Sequence, residues 1–571
     1  MLRIERRYQI LLIIFMVLGL FYPAIFAGDN SVDDYRMLQV LADGKLDVLS
    51  LFMPQGGFYY RPLLMLTFWL DQYLWDGTAS FMHLENLLLH AANAVLVYLL
   101  VEKALHRFVG EAGLAPLLAG LLFAIHPITT ESVNWISGRT DLLGTFFVLL
   151  TSFVLLTAGV RRSTSWVLLS ACLFACAIMS KEVMIFFFPV ACLLLWHAAG
   201  SSRASLRIVA TFALPFLILG VAFVVLRLWL APSTAHGVDD LLAKWHYDFF
   251  DTLRVSFKVF GFYVKKLLVP VPLNFTIRQV SDLYAPFGLG VGILSAWFLV
   301  RYYRLFFPFA VAFWLTAPAI LIALTNVAWT PLAERYIYLS AAFVAAGIAP
   351  LLIHLKRVLG PKVGLLFLAI LLASATSVTA QRTLVWQDNL LLFADTLRKN
   401  PDFAAAHNEL GIALMEKGQT NEAEKVLREA IDSGKGKNNP LLYVNLANVY
   451  LRHKEFLRAR QCLLESFADF RNANPEVLKL LAKISETSLR HSDLLEFSDR
   501  EAFLEDLVRT YRAIYACNGD SSQLYRVGQL LLGLKRDAEA AVIFAEVVEI
   551  APVDAFYYPA AKKLAEKLKP I

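Results

Sequence analysis

The chain is 571 residues long, 58% hydrophobic, with a mean hydropathy of +0.56. Water-soluble domains sit near about 45–50% apolar, so an ordinary soluble protein is excluded and much of this chain must be solvated by lipid. The formal net charge of +6 is spread over short loops and not gathered in one basic block. It therefore informs membrane topology and does not indicate a nucleic-acid partner. The five cysteines form no C-x-x-C pair: Cys172, Cys176 and Cys192 lie in apolar runs, and Cys462 and Cys517 are isolated. Neither a disulfide framework nor a zinc site can be read from them.

The excess of apolar residues is confined to the first two-thirds of the chain. Arg3, Arg6 and Arg7 precede an apolar run at 10–26 that is similar to a signal peptide. Its length, and the weak cleavage site FAGDN, favour a retained first helix. A membrane-spanning helix needs roughly 20 apolar residues. Eleven candidates follow, near 9–27, 84–102, 114–133, 140–160, 165–180, 183–198, 208–230, 285–301, 306–326, 336–354 and 363–380. With the N-terminus cytoplasmic, the pairs Lys103/Arg107, Arg161/Arg162, Arg203/Arg207 and Arg301/Arg304, and the trio Lys356, Arg357 and Lys362, all fall on the cytoplasmic side. That is the distribution expected of cytoplasmic loops.

The segment 259–273 is the ambiguous one. It is apolar enough to be a twelfth span, but Lys265 and Lys266 sit in its middle and Pro270 and Pro272 break it. Ionised groups are expensive in the bilayer, so it is expected to be an interfacial or re-entrant helix within an external loop at 231–283. The aromatic and acidic residues of that loop, Asp239, Asp240, Trp245, His246 and Tyr247, suit either closure over a sugar or anchoring at the interface.

Beyond residue 385 the composition becomes charged and Ala/Leu-rich, with a period near 34 residues. One copy, at 404–431, carries Leu410-Gly411, Leu414, Gly418, Ala423, Leu427 and Ala430. A second has Tyr443, Leu446-Ala447, Tyr450, Ala459 and Leu463, and another has Val527-Gly528, Leu531, Ala540, Phe544 and Pro552. This small/large alternation matches the tetratricopeptide pattern of nested helix pairs. The expected architecture is all-α: a polytopic membrane domain over 1–384, with external loops at 28–83 and 231–283, and a repeat solenoid over 385–571.

On this topology the polar motifs fall on the external side. They are GDNSVDDYR at 28–36 with Asp33 and Asp34, FYYRPLL at 58–64, HLENLLLH at 83–90, HPITTESVNWISGRTD at 126–141, SKE at 180–182 and PLAERYIYLS at 331–340. Arg61, Arg139, Lys181 and Arg335 each read either as an interfacial snorkelling residue or, taken as a set, as donors to a phosphate. His83, Asn86 and His90 form one helical stripe, suited to helix packing or to a ligand. His126 and Glu131 have no zinc spacing, and Lys181 and Glu182 can neutralise each other across a turn.

These motifs, in this order, resemble the membrane glycosyltransferases of the GT-C superfamily. More narrowly they are similar to the transmembrane and tetratricopeptide repeat-containing proteins, a family of protein O-mannosyltransferases with bacterial relatives. The resemblance covers the Asp-Asp loop, YRPL, HLxNxLLH, HPxxTExVxWIxGRxD, SKE, ERYxY, and repeats after a W-x-D element at Trp386 and Asp388. It implies transfer of mannose or another hexose from a polyprenyl-phosphate donor to an acceptor hydroxyl, as on Ser/Thr of a protein, at the external face. Asp33 or Asp34 would be the catalytic base, with Asp33 favoured as the first of the pair. Arg61, Lys181, Arg335 and, fourth, Arg139 would hold the lipid phosphate. His83, His126, Glu131, Glu182, Glu334 and Tyr336 would support the site or the acceptor. No metal or other cofactor is indicated beyond the lipid-linked sugar, and the repeats would present an acceptor or bind a protein partner. A bacterial inner membrane would make the external side periplasmic, and an endoplasmic reticulum origin would make it luminal. The competing readings are the same chemistry on a lipid or glycan acceptor, or a non-enzymatic scaffold displaying the repeats. A transporter would instead place ionisable groups near the bilayer midplane.

Overall fold

The computed structural model describes residues 5–30, 32–34, 37–38, 48–53, 60–108, 112–158, 164–199, 205–230, 247–325, 328, 330–434, 439–490 and 497–568. Among them there is no strand, only one isolated antiparallel bridge between Ile277 and Leu332. The chain is all-α, as the periodicity implies, and packs as two compact units, Met1–Thr396 and Leu397–Ile571. The first unit runs past residue 384 because Arg382 pairs with Asp395 at 2.6 Å and Phe393 packs on Phe275.

Eight helices of the first unit are long and apolar enough to cross a membrane: Arg6–Phe26, Ala79–Arg107, Ile136–Thr157, Leu206–Leu226, Tyr284–Arg301, Tyr303–Thr325, Glu334–Leu359 and Pro361–Val385. Three further apolar helices, Ala115–Ala124, Ser165–Ser180 and Glu182–Ala198, fall on the remaining expected segments but are shorter. Many outward residues of the long helices are exposed leucine, isoleucine, valine and phenylalanine, among them Leu217 and Ile218 of Leu206–Leu226, Ile293 of Tyr284–Arg301 and Leu366 of Pro361–Val385. Such a surface has no place in water, and lipid supplies its solvent.

The ambiguous segment forms a 20-residue helix, Phe249–Leu268. It crosses Tyr284–Arg301 where Gly261 faces Gly288: a Cβ on Gly288 would lie 1.9 Å from the Phe257 carbonyl oxygen. Two glycines are therefore needed for the backbones to touch. Lys266, whose charge argued against a span, is turned inward and paired with Glu334 at 2.6 Å. Of the aromatic and acidic loop residues, Asp239, Asp240, Trp245 and His246 lie outside the described residues, and Tyr247 is half-buried.

The second unit is built of consecutive helix pairs. Ala404–Glu416 packs on Thr420–Asp432, and Pro440–Arg452 on Phe456–Glu465. Near the end Ser521–Gly533 packs on Asp537–Ile550. Gly411 accepts Leu427 against its backbone, and Gly528 accepts Phe544 in the same way, so the small residues of the repeat serve as sockets for the large ones.

Candidate functional site

One segment ties the polar motifs together. Residues 126–141 leave the apolar helix Ala115–Ala124, make a short helix at Thr129–Asn134 and a 3-10 turn at Ile136–Gly138, and enter the helix Arg139–Ala158. The turn is tight: a Cβ on Gly138 would lie 2.4 Å from the Ser132 carbonyl oxygen. Polar side chains along this segment reach different partners.

Glu131 is buried and accepts from the Arg335 guanidinium, and from the Arg335 backbone N–H at 3.0 Å. The Arg335 guanidinium lies over the rings of Trp135 and Tyr336, each 4.9 Å from the centroid, and its Nη2 donates to Thr330 Oγ1 at 3.3 Å. Tyr336 donates its hydroxyl to the Thr330 carbonyl at 3.1 Å. Glu334, next in sequence, faces the other way, where it takes Lys266 and the Asn274 N–H.

Ser137 holds the acidic loop. Its N–H and Oγ–H both donate to Asp34 Oδ1, at 3.0 and 2.5 Å, while Asn30 N–H donates to Asp34 Oδ2 at 2.9 Å. Asp34 is buried and Asp33 exposed, so neighbouring carboxylates occupy opposite environments. Burial raises the Asp34 carboxyl to about 7, against the three donated hydrogen bonds, with a smaller upward push from Asp33. His83 sits beneath, its Nε2 3.3 Å from the Gly28 carbonyl.

Among the described residues Arg139 is the largest fully buried side chain. It donates to Asn86 Oδ1 at 3.0 Å, Asp71 Oδ2 at 2.5 Å and the Met82 carbonyl at 2.9 Å. Glu85 lies 3.0 Å away and the Phe68 ring 4.7 Å. Asp141 takes Lys181 at 2.5 Å. Lys181 is buried too, and burial lowers its ammonium from the usual lysine range; Asp141 opposes that shift while Arg61 and Arg335 reinforce it. Arg61 forms a two-pronged pair with Glu182, Nε to Oε2 and Nη2 to Oε1, each 2.8 Å.

Arg61, Lys181 and Arg335 thus come from three distant motifs into one electrostatic neighbourhood, each countered by a carboxylate of another motif. The expected self-neutralisation of Lys181 by Glu182 gives way to these cross-motif pairs. The imidazole and carboxylate of His126 and Glu131 do not meet. His126 Nδ1 accepts the Ile128 N–H at 3.2 Å and Nε2 faces the Leu267 carbonyl at 3.1 Å. Burial lowers it to about 4, so it is a neutral fastening. Of the polar stripe, His90 meets the Tyr338 hydroxyl on another helix, Asn86 donates to the Trp135 carbonyl in the turn between two helices, and His83 meets the Gly28 carbonyl of the acidic loop; Asn93, one turn further on, also donates to Tyr338.

Sequence reasoning passed over Asp71 and Ser137, and took Lys266 only as a charge against a membrane span. Asp71, a lone carboxylate in an otherwise apolar helix, carried a signal; Ser137 carried none, because a serine in a turn is ordinary. Among the described residues no group of three His, Cys, Asp or Glu side chains is placed to hold a metal. Beside the site, the turn Glu182–Phe186 opens an apolar groove of about 380 Å³ lined by Phe174, Phe186, Phe188, Phe216, Val224 and Trp314.

Fold and site define a polytopic helical membrane protein carrying a repeat unit, with a charged centre built from interhelical turns. A tetratricopeptide repeat model matches residues 404–433. The chain is 39% identical over 143 residues to Protein O-mannosyl-transferase TMTC4 of Homo sapiens, covering 22% of this chain and 19% of that one. It is 25% identical over 440 residues to Protein O-mannosyl-transferase F38B6.6 of Caenorhabditis elegans, covering 72% and 60%. Against human Protein O-mannosyl-transferase TMTC1 it is 34% identical over 142 residues, covering 23% and 16%. The chain thus spans about a fifth of the human relatives' length and 60% of the nematode protein's.

Proposed function

We propose that the protein is a membrane glycosyltransferase that moves a hexose, such as mannose, from a polyprenyl-phosphate carrier to an acceptor hydroxyl, a protein Ser or Thr, at the periplasmic or luminal face. The observation that carries this reading is that Lys181 and Arg335 pair with Asp141 and Glu131 of the segment whose Ser137 also clamps the Asp33–Asp34 loop, with Arg61 held close to Lys181 by the neighbouring Glu182. The relatives are named protein O-mannosyl-transferases, which supports transfer of mannose to a protein.

In this mechanism Asp33 is the base. Its exposed carboxylate takes the acceptor proton as the acceptor oxygen attacks the anomeric carbon. The bond from that carbon to the phosphate oxygen breaks, and the polyprenyl phosphate leaves with the electron pair. One direct displacement inverts the anomeric configuration. Guanidinium and ammonium groups already fixed by their carboxylates meet the developing phosphate charge with little reorganisation. Asp34, enclosed by three donors, anchors the loop. Arg139, expected as a fourth phosphate ligand, is committed to Asp71, Asn86 and Met82 and holds the framework. The apolar groove beside Glu182 suits the carrier's hydrocarbon.

The test is transfer of labelled hexose from polyprenyl-phosphate donors by purified protein into a membrane and periplasmic acceptor pool. Asp33→Asn is expected to abolish transfer while carrier binding persists, and Arg335→Ala to weaken carrier binding. Transfer that survives Asp33→Asn would refute the base. Label appearing in lipid or glycan, and not in protein, would reassign the acceptor.

A further inference from the structure

The candidate base lies on a loop that is itself held from a second side, by the turn that follows the last apolar helix. Gln387 Nε2 donates to the Pro23 carbonyl at 2.8 Å, and Asn389 Nδ2 donates to the Asp29 carbonyl at 3.1 Å. Both acceptors belong to the chain entering the Asp33 loop. The residue before them, Trp386, is buried and stacked on Trp135 with centroids 6.4 Å apart, and the Arg335 guanidinium lies over the Trp135 ring, 4.9 Å from its centroid. Trp386 also meets Phe275 edge-on at 5.2 Å.

This turn is fastened independently of the loop. Arg382 and Asp395 close it from either side at 2.6 Å, and Thr379 Oγ1 binds the Ile125 carbonyl at 2.7 Å. A braced turn that touches both the loop and the platform under Arg335 fixes the distance between them. A carbonyl bound by a side-chain N–H loses rotational freedom; the bond to Pro23 holds the 3-10 turn Tyr22–Phe26 from which the loop departs, and the bond to Asp29 holds the loop's first residues, so the two together restrict its backbone.

We infer that Gln387 and Asn389 are positioning residues, which set the Asp33 loop against the phosphate-binding cations. This rests on the reading of that loop as catalytic. Of the W-x-D element that precedes the repeats, Asp388 caps the following helix by accepting the Leu390 N–H at 2.8 Å, while the bonds to the loop and to the turn before it come from Gln387 and Asn389.

The experiment uses the full chain in detergent or nanodiscs, with Gln387→Glu, Asn389→Asp and the double variant. Each keeps size and shape but replaces an N–H donor by an oxygen facing a carbonyl oxygen, and Asp at position 389 still suits the start of a helix. Hydrogen exchange of peptides covering 23–34 is expected to quicken, and kcat of hexose transfer to fall about tenfold in the double variant, with KM for the carrier within about twofold. Asn389→Gln, which restores an amide donor, should recover part of both. Unchanged exchange at 23–34 would overturn the positioning role whatever the activity. Faster exchange with undiminished transfer would show that the turn holds the loop and that the loop is not catalytic, so that the two failures are told apart.

Discussion

Asp33 and Asp34 are neighbours with opposite fates, and the difference is one of solvation. A carboxylate removed from water favours its proton, and Asp34 is raised from 3.8 to about 7 for that reason. The folded state therefore binds this proton more tightly than the unfolded chain between those two values. Stability falls as pH rises through that window, by at most about 1.4 kcal/mol per unit from this group. Comparing thermal unfolding of wild type and Asp34→Asn from pH 5 to 8 isolates it: the variant should show a flatter profile over that range, and parallel profiles would contradict the assignment. Arg139 makes a second residue-scale case. Its removal would strand Asp71 as a buried, uncompensated charge, a loss of about 3–5 kcal/mol. Arg139→Ala should lower the melting temperature in detergent markedly. Arg139→Met with Asp71→Leu should recover part of that loss, since an apolar pair of similar volume removes both charges.

Between elements, the contact that matters most for the site is the crossing of Phe249–Leu268 on Tyr284–Arg301. The first of these helices delivers Lys266 to Glu334, and the second presses on it through Gly288. A methyl at position 288 meets backbone, which cannot swing aside, so Gly288→Ala is expected to cost about 1–3 kcal/mol. Gly290 has nothing within 4 Å of its would-be Cβ, and Gly290→Ala should be close to neutral or slightly favourable. Melting temperatures of the two variants check this; equal effects would mean that the crossing is looser than it looks. Sequence reasoning treated the two lysines of this helix as too costly for a membrane span and read it as interfacial or re-entrant. Lys266 shows the limit of that inference, because a partner from 68 residues away in sequence can make burial tolerable.

For the molecule as a whole, two compact units imply two stability budgets. Leu427 is fully buried in the second unit, against Gly411. Leu427→Ala should cost about 2–5 kcal/mol of that unit's stability and leave unfolding of the membrane unit unchanged, as read by separate calorimetric transitions. A single transition that shifts as one would show that the units unfold together.

Much of this protein is determined by its sequence alone, because the relevant signals are local. Runs of apolar residues mark lipid-facing helices, and a small/large period near 34 residues marks stacked helix pairs, since each depends only on spacing along the chain. The six polar motifs could be picked out as charges where an apolar chain should not carry them. What no spacing could supply is who pairs with whom. Glu131 with Arg335, Asp141 with Lys181, Glu182 with Arg61 and Ser137 with Asp34 join residues 40 to 204 positions apart. Only tertiary packing decides such pairings, because a side chain's partner, its burial and hence its charge state are properties of the space around it and not of its neighbours in the chain.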